Sequence, residues 1–328
     1  MTQKYAKDQP QGFINHVQKV AIVGAGGNIG RVFAEHILKT GVHAVTAINR
    51  ESSNSPLANG IKRVVVDYDD QDSIVSALKG QDFLIITLSL AAPPGTHSKL
   101  LQAAAKAGVP YFMPNAHSIN FNDSEILLQD IPIGRVVLGN VAEVEQRGMT
   151  SITLVSGFWY EYSLNVGNQT FGFDLKNRAA TFYDNGKKAV NVSTWPQCGR
   201  AVAALLSLKV LPEDENDKSV TVSQFHNKSL YVTSFKVSQR DILKSVEVAT
   251  GTTEKDWKIT HQPSDVRYKE GMEELSEGDQ FGFLKAMYAR VFYPSGDADF
   301  EPHNKLLSLP EEDLQDATRE AIKMALGH

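Results

Sequence analysis

Apolar residues over the first 113 positions alternate between short continuous runs and segments with helical spacing. Five largely apolar runs, the first of them rich in β-branched residues, predict buried strands at residues 17–23, 43–48, 61–66, 82–88 and 109–113. The segments between them predict helices at residues 29–39, 71–78 and 97–107. Largely apolar strands that alternate with helices indicate βαβ units and a parallel sheet buried on both faces. We therefore predict an α/β fold built on a doubly wound parallel sheet.

The alternation loosens after about residue 114, and the second half predicts a smaller, mixed α/β part. Strands are expected at residues 151–155, 179–183, 189–192, 218–222 and 229–235. Helices are expected at residues 140–147, 199–208, 238–250, 281–292 and 309–326. The turn signal Asp184-Asn185-Gly186 predicts a hairpin between the strands on either side of it.

Composition and charge limit the classes of partner. The chain has 328 residues, a hydrophobic fraction of 42% and a net charge of -5, without a run of Lys and Arg. These features argue against nucleic acid and membrane as partners, because both favour a concentrated basic patch. The single cysteine, Cys198, is interpreted as a buried core residue rather than a nucleophile. With neither a signal-peptide core nor a long apolar span, the chain is expected to be cytoplasmic and to act on a small molecule as a monomer or homodimer.

A glycine-rich turn between the first strand and the first helix carries the functional argument. Glycines in this context let the backbone approach a pyrophosphate, and the helix start presents free N–H groups to it. The spacing fits G-x-x-G-x-x-G rather than G-x-G-x-x-G, since Ile29 stands where the latter needs a small residue. The residues expected to bind the dinucleotide here are Gly24, Gly26, Gly27, Asn28, Ile29 and Gly30.

The following strand ends predict the choice of cofactor. Arg50 beside Asn49 at the end of the second strand suits the 2′-phosphate of NADP(H), although Glu51 leaves NAD open. Asp67, after the third strand, either meets the adenine or caps the next turn. Further cofactor contacts are expected at the ends of the fourth and fifth strands, from Thr87, Leu88, Ser89 and Pro114. We expect a flexible N-terminal tail at residues 1–16, an NADP(H)-binding Rossmann domain at 17–160 and a substrate-binding part at 161–328, some of which returns to the main sheet.

Several segments resemble the NmrA-like and isoflavone-reductase-like group of atypical short-chain dehydrogenases, especially its fungal members. They lie at residues 23–30, 77–82, 156–164, 199–203 and 237–241. The resemblance implies NADP(H) in a Rossmann domain and a substrate cleft against a smaller C-terminal domain. It also implies hydride transfer to a small aromatic or alkaloid-like compound, often in secondary metabolism. Other members of this group bind the dinucleotide as redox sensors.

The chain departs from this group where catalysis is expected. Related reductases carry Pro-Ser-Glu-Phe-Gly or Pro-Asn-Glu-Trp-Gly after the fifth strand, whereas this chain has Pro-Asn-Ala-His-Ser at residues 114–118. They also place a Lys before the sixth strand, and residues 136–141 contain none. His117 or Tyr160 is the candidate proton donor, with Asn115 to position a carbonyl, although a locally bonded loop histidine is an equally open interpretation.

Three aromatic residues after the sixth strand, Phe158, Trp159 and Tyr162, are expected either to line a substrate cleft or to belong to the core. The sequence thus favours an NADPH-dependent oxidoreductase that reduces an iminium, enone or carbonyl. Two alternatives stay open: an NADP(H)-binding sensor without turnover, and a non-redox cyclase or isomerase on the same fold.

Overall fold

The computed structural model describes residues 4–89 and 92–327. Its strands are β1 Lys19–Val23, β2 Ala44–Arg50, β3 Lys62–Val66, β4 Phe83–Ile86, β5 Tyr111–Met113, β6 Thr150–Val155, β7 Phe158–Trp159, β8 Phe173–Asp174, β9 Ala179–Tyr183, β10 Ala189–Ser193, β11 Lys228–Tyr231, β12 Phe235–Ser238 and β13 Lys258–Gln262. Its helices are α1 Asn28–Lys39, α2 Gln71–Leu78, α3 Thr96–Ala107, α4 Glu125–Asp130, α5 Ile133–Gln146, α6 Tyr160–Val166, α7 Trp195–Leu206, α8 Gln239–Thr250, α9 Ser264–Ser276, α10 Gln280–Val291 and α11 Leu314–Leu326. No helix in the described ranges has the length and apolar character needed to cross a bilayer.

A seven-stranded sheet in the order β11-β6-β5-β4-β1-β2-β3 forms the centre of the molecule. All of its strand pairs are parallel. Side chains of β1 point alternately into two clusters: Ile22 packs with α1 and α7, and Val23 packs with α2 and α3. The predicted doubly wound α/β fold is therefore confirmed. The strand order reverses between β1 and β4, and such a switch point is where open α/β sheets bind ligands.

The second half adds one strand to the central sheet and forms two small sheets of its own. Strand β11 pairs with β6, and helix α7, which precedes it, packs on α1. The small sheets have the orders β12-β10-β7 and β13-β9-β8. Helices α6, α8, α10 and α11 surround an aromatic cluster that includes Phe171, Phe173 and Phe292. This part therefore has a core distinct from those of the central sheet.

The hairpin predicted around Asp184-Asn185-Gly186 is wrong. Strand β9 pairs with β8 and β13, whereas β10 pairs with β7 and β12. The Asp184 carboxylate accepts hydrogen bonds from the main-chain N–H and the hydroxyl of Ser264, and the Asp184 N–H donates to the Gln262 carbonyl. The turn residues therefore fasten the end of β9 to the end of β13, and the chain then leaves for another sheet.

The N-terminal segment and the strand predicted at residues 218–222 also differ from expectation. Residues 1–3 lie outside the described ranges, but residues 4–16 do not form a free tail. The main-chain N–H of Ala6 donates to the Pro212 carbonyl, and Asn15 exchanges hydrogen bonds with Leu211. Residues 218–222 do not form a strand: Thr221 makes an isolated bridge to Lys209, and a 3-10 turn begins at Val222.

Candidate functional site

The glycine-rich turn after β1 is packed so closely that glycine is required. Gly24 has φ of 81°, and a β-carbon there would lie 2.3 Å from the Thr87 carbonyl oxygen. A β-carbon on Gly30 would lie 2.3 Å from the Gly24 carbonyl oxygen and 2.5 Å from Thr87 Oγ1. The Thr87 hydroxyl donates to the Val23 carbonyl at 2.7 Å. The end of β4 therefore holds the turn in place.

Helix α1 starts directly at this turn. Its N-cap is Gly27, which supplies no side-chain acceptor to the first turn. Asn28 is exposed at the helix start, while Ile29 is buried against the core. The first N–H groups of a helix have no intrahelical acceptor and carry the positive end of the helix dipole. The arrangement suits an anion such as a pyrophosphate.

A loop that sequence reasoning missed lies over the same turn. A β-carbon on Gly26 would lie 2.4 Å from the Ser55 β-carbon. The loop that carries Ser55 is fastened to the end of β2, because the Asn49 amide donates to Ser53 Oγ at 3.1 Å. Glycine at position 26 is thus needed both for the turn and for the close approach of the Ser55 loop. Only the run of small polar residues after β2 hints at it in the sequence.

The residues at the ends of β2 and β3 have different surroundings. The Arg50 side chain is exposed, and its guanidinium carbon lies 6.0 Å from the centre of the Tyr68 ring. Asn49 is buried. The exposed Asp67 accepts the Asp69 N–H at 2.8 Å and so caps its own turn. Arg50 therefore presents a cation at the sheet edge, whereas Asp67 has the turn-capping contact that was one of its two expected roles.

Asn115 connects the ends of two neighbouring strands. Its amide donates to the Leu88 carbonyl at 3.0 Å, just beyond β4. Pro114 is buried beside it, whereas Ser89 is exposed. Through this contact Asn115 holds the segments after β4 and β5 together. Its amide donates to the Leu88 carbonyl, whereas the expected role was to position a carbonyl of the substrate.

His117 is turned into the core rather than toward the sheet edge. Its Nε2 lies 2.7 Å from the Ile86 carbonyl and donates to it, and its ring meets Phe33 edge-on at 5.3 Å. The residue is only 6% exposed, and burial lowers its pKa to about 4. The expected role as a proton donor does not fit this position, because the ring is neutral at physiological pH and packed beneath the end of β4.

Tyr160 is likewise withdrawn from the cleft. Its hydroxyl is within hydrogen-bond distance of Thr318 Oγ1, at 2.7 Å, and burial raises its pKa. Helix α6 begins at this residue and packs on α11, so the first helical position points into the aromatic core. This placement argues against proton donation by Tyr160.

The three aromatic residues proposed for the substrate cleft separate into two groups. Phe158 is buried and stacks on Tyr288 with 3.7 Å between ring centres, which makes it a core residue. Trp159 and Tyr162 are partly exposed and meet edge-to-face at 6.2 Å. Trp195 joins them, with its ring centre 6.5 Å from that of Trp159. We call Trp159, Tyr162 and Trp195 the aromatic wall.

A buried carboxylate lies behind the aromatic wall. Both carboxylate oxygens of Glu161 lie 3.1 Å from the main-chain nitrogen of Trp195, at the start of α7. Burial, reinforced by the charge of Glu312, raises the pKa of Glu161 to about 7. Arg200 binds Glu312 and not Glu161. Cys198 lies nearby in the core, and burial raises the pKa of its thiol to about 12, as suits a structural residue.

Comparison with known proteins places this geometry among dinucleotide-binding proteins. Residues 24–123 match a family model described as NAD(P)H-binding. The chain is 28% identical over 313 residues to oxidoreductase aprR of Aspergillus flavus, covering 93% of this chain and 99% of that protein. It is 25% identical over 249 residues to the isoflavone reductase homolog IRL of Zea mays, covering 72% and 75%.

Solved structures show the same fold. AtPrR2 with NADP+ and (+)pinoresinol superposes with a TM-score of 0.71 at 17% identity, covering 94% of this chain and 100% of that one. The expected class, an NAD(P)-dependent oxidoreductase, agrees with these comparisons. The resemblance seen in the sequence agrees with these findings: residues 24–123 match an NAD(P)H-binding model, and the chain is similar to an isoflavone reductase homolog and shares the fold of AtPrR2.

Proposed function

We propose that this protein is an NADPH-dependent reductase of a small aromatic or alkaloid-like secondary metabolite in the cytoplasm. The observation that carries the proposal is the glycine-rich turn, held by Thr87 at the switch point of a parallel sheet. The aromatic wall supports the substrate class, since aromatic faces bind flat apolar compounds. The nicotinamide C4 supplies a hydride when the cofactor is bound. The protein's own part is to hold the pyrophosphate at the start of α1 and the substrate against the wall.

The proposed cofactor is NADP(H) rather than NAD(H). Arg50 is exposed at the end of β2, where the adenosine ribose of a dinucleotide lies in this fold. A guanidinium group binds a phosphate through charge-assisted, bidentate hydrogen bonds. Titration of the protein with NADPH and NADH is expected to show tighter binding of NADPH. Equal binding of the two would contradict the assignment of Arg50.

The hydride acceptor is proposed to need little acid assistance. His117 and Tyr160 are both buried and bonded within the core. Such a site favours an iminium, because hydride addition to it gives a neutral amine without any proton transfer. Hydride addition to an enone gives an enolate, which afterwards takes a proton from water. A carbonyl reduced to an alcohol would require a proton from water or from the substrate itself.

A panel of cyclic imines, enones and aromatic ketones tests this function. NADPH deuterated at C4 is supplied, and the products are examined for deuterium at the reduced carbon. Labelled product from the imines or enones supports the reductase. Tight NADPH binding without label in any product would favour the second candidate, a nucleotide-responsive regulator. The buried positions of His117 and Tyr160 support that candidate, because they leave neither residue as a proton donor. Conversion of a substrate without loss of NADPH would point to the non-redox cyclase or isomerase.

A further inference from the structure

The aromatic wall combines two positions that the sheet register brings together. Strands β7 and β10 are parallel, and Trp159 is paired with Ser193. Trp195 follows two residues later as the first residue of α7. Because parallel strands end on the same side of a sheet, both tryptophans stand at one edge. Their ring centres are 6.5 Å apart and their planes are inclined at 59°.

This edge belongs to the same region as the glycine-rich turn. Trp195 lies in the hydrophobic cluster that contains Ile29 and Phe33 of α1, and Trp159 and Tyr162 pack against it. Gly199, one turn further along α7, is so close to α1 that a β-carbon there would lie 2.8 Å from Val32 Cγ1. The start of α7, with Trp195, is therefore packed beside the helix that begins at the dinucleotide turn.

Both indole N–H groups of the wall lack an acceptor. Nε1 of Trp159 and Nε1 of Trp195 are shielded from solvent without a hydrogen-bond partner among the described residues. Trp195 as a whole is 9% exposed. The third tryptophan differs, because Trp257 donates from Nε1 to Thr252 Oγ1 at 3.0 Å. An unpaired buried N–H is costly, so two of them side by side point to a ligand that supplies the acceptors.

The backbone of the wall is fixed independently of its indole groups. The Trp195 N–H donates to the Glu161 carboxylate, and the preceding Thr194 caps α7 by accepting the Gln197 N–H at 3.1 Å. The Trp159 carbonyl accepts the Ser163 hydroxyl at 2.6 Å. These contacts leave the indole N–H groups as unsatisfied donors.

We propose that Trp159 and Trp195 donate hydrogen bonds to an oxygen acceptor, such as a carbonyl oxygen, on a flat aromatic substrate stacked against the wall. The inference rests on the proposed function and adds to it a chemical requirement, an oxygen acceptor next to an aromatic ring. The dinucleotide could also offer oxygens, from its carboxamide or phosphates. The phosphates, however, are expected at the start of α1, and the aromatic faces of the wall suit a flat substrate.

Nitrogen-15 labelling of the tryptophans tests the proposal without activity. The chain has three tryptophans, and replacing each by Phe in turn assigns the three indole resonances. The labelled protein is saturated with NADP+ and then titrated with acetophenone, or with ethylbenzene, which lacks the carbonyl. We expect acetophenone to shift the indole protons of Trp159 and Trp195 downfield, ethylbenzene to leave them unmoved, and Trp257 to respond to neither.

The outcomes separate this proposal from the function on which it rests. Equal responses to both ligands, or none, overturn the inference. If NADP+ alone shifts the indole protons and acetophenone adds no further shift, the acceptor belongs to the cofactor, and the inference is again overturned. NADP+ binding, followed by fluorescence in the same sample, tells whether the proposed function survives. Failure of NADP+ to bind would refute both.

Matched variants give a second readout. Trp159→Phe and Trp195→Phe each keep an aromatic face and remove one donor, so each is expected to weaken acetophenone binding about fivefold. Both variants should change ethylbenzene binding less than acetophenone binding. Trp257→Phe should leave the binding of both ligands unchanged. A thermal melt of each variant establishes that it is folded. Equal weakening for both ligands would show that the rings serve packing alone.

Discussion

Replacing Glu161 by glutamine is expected to stabilise the protein at alkaline pH. Glu161 is 5% exposed, and its carboxylate oxygens face the main-chain N–H of Trp195 without a cation of their own. Glutamine keeps the shape and an oxygen acceptor for that N–H but carries no charge. The variant therefore removes the cost of a buried charge and little else.

The size of the effect follows from the ionisation of the buried carboxyl group. Burial raises the pKa of Glu161 from 4.5 to about 7. The unfolded chain loses this proton from about pH 4.5 upward, whereas the folded chain keeps it until about pH 7, so stability falls as pH rises through this window. The free-energy cost is about 2.5 kcal/mol greater at pH 8 than at pH 5. Glu161→Gln should gain that difference relative to the original protein.

Urea unfolding at pH 5 and pH 8, followed by far-ultraviolet circular dichroism, measures the effect. Glu312→Gln is the contrasting variant: Glu312 accepts from Thr194 and pairs with Arg200, so its neutralisation should destabilise the protein at both pH values. A Glu161→Gln variant whose stability relative to the original protein is the same at pH 5 and pH 8 would refute this reasoning. It would mean that the carboxyl group is solvated or paired in solution.

Three further predictions concern the cofactor site and its support. Gly26→Ala should weaken NADPH binding at least about tenfold, because the new methyl group would meet Ser55 and displace its loop. Unchanged affinity in a fluorescence titration would refute this. Arg50→Ala should raise the dissociation constant of NADPH about tenfold and leave that of NADH nearly unchanged; a parallel loss for both would refute a phosphate contact. Burial lowers the pKa of His117 to about 4, so the contribution of this residue to stability should fall by about 2 kcal/mol from pH 7 to pH 5; in urea unfolding, His117→Asn should therefore gain about 2 kcal/mol relative to the original protein between these pH values.

The first half of the fold could be predicted from the sequence because its signals are local. Each strand and helix around the central sheet has a pattern of apolar residues that identifies it within its own segment. The glycine spacing likewise identifies the turn after β1, where close packing against Thr87 requires glycine. The second half could not, because its pairings depend on distant residues. Nothing near Asp184 in the sequence shows that its carboxylate binds Ser264, yet that contact fastens the end of β9 to the end of β13, and β9 does not pair with β10.

The candidate site shows the same division. The turn at Gly24 to Gly30 could be read directly, whereas the orientation of His117 could not, since a histidine after a strand can face either side of it. The contact between Glu161 and Trp195 joins residues 34 positions apart, and no sequence motif around either residue predicts it. Only the fold reveals that two of the three tryptophans share a wall and lack acceptors.

The assignment of the glycine-rich turn is tested by a fluorescence titration of the purified protein and its Gly30→Ala variant with NADPH and NADH. We expect the original protein to bind NADPH tightly and NADH more weakly, and the variant to bind neither, because its methyl group would lie 2.3 Å from the Gly24 carbonyl oxygen. Absence of binding of either nucleotide to the original protein would contradict the assignment of the turn, and with it the reductase function built on it.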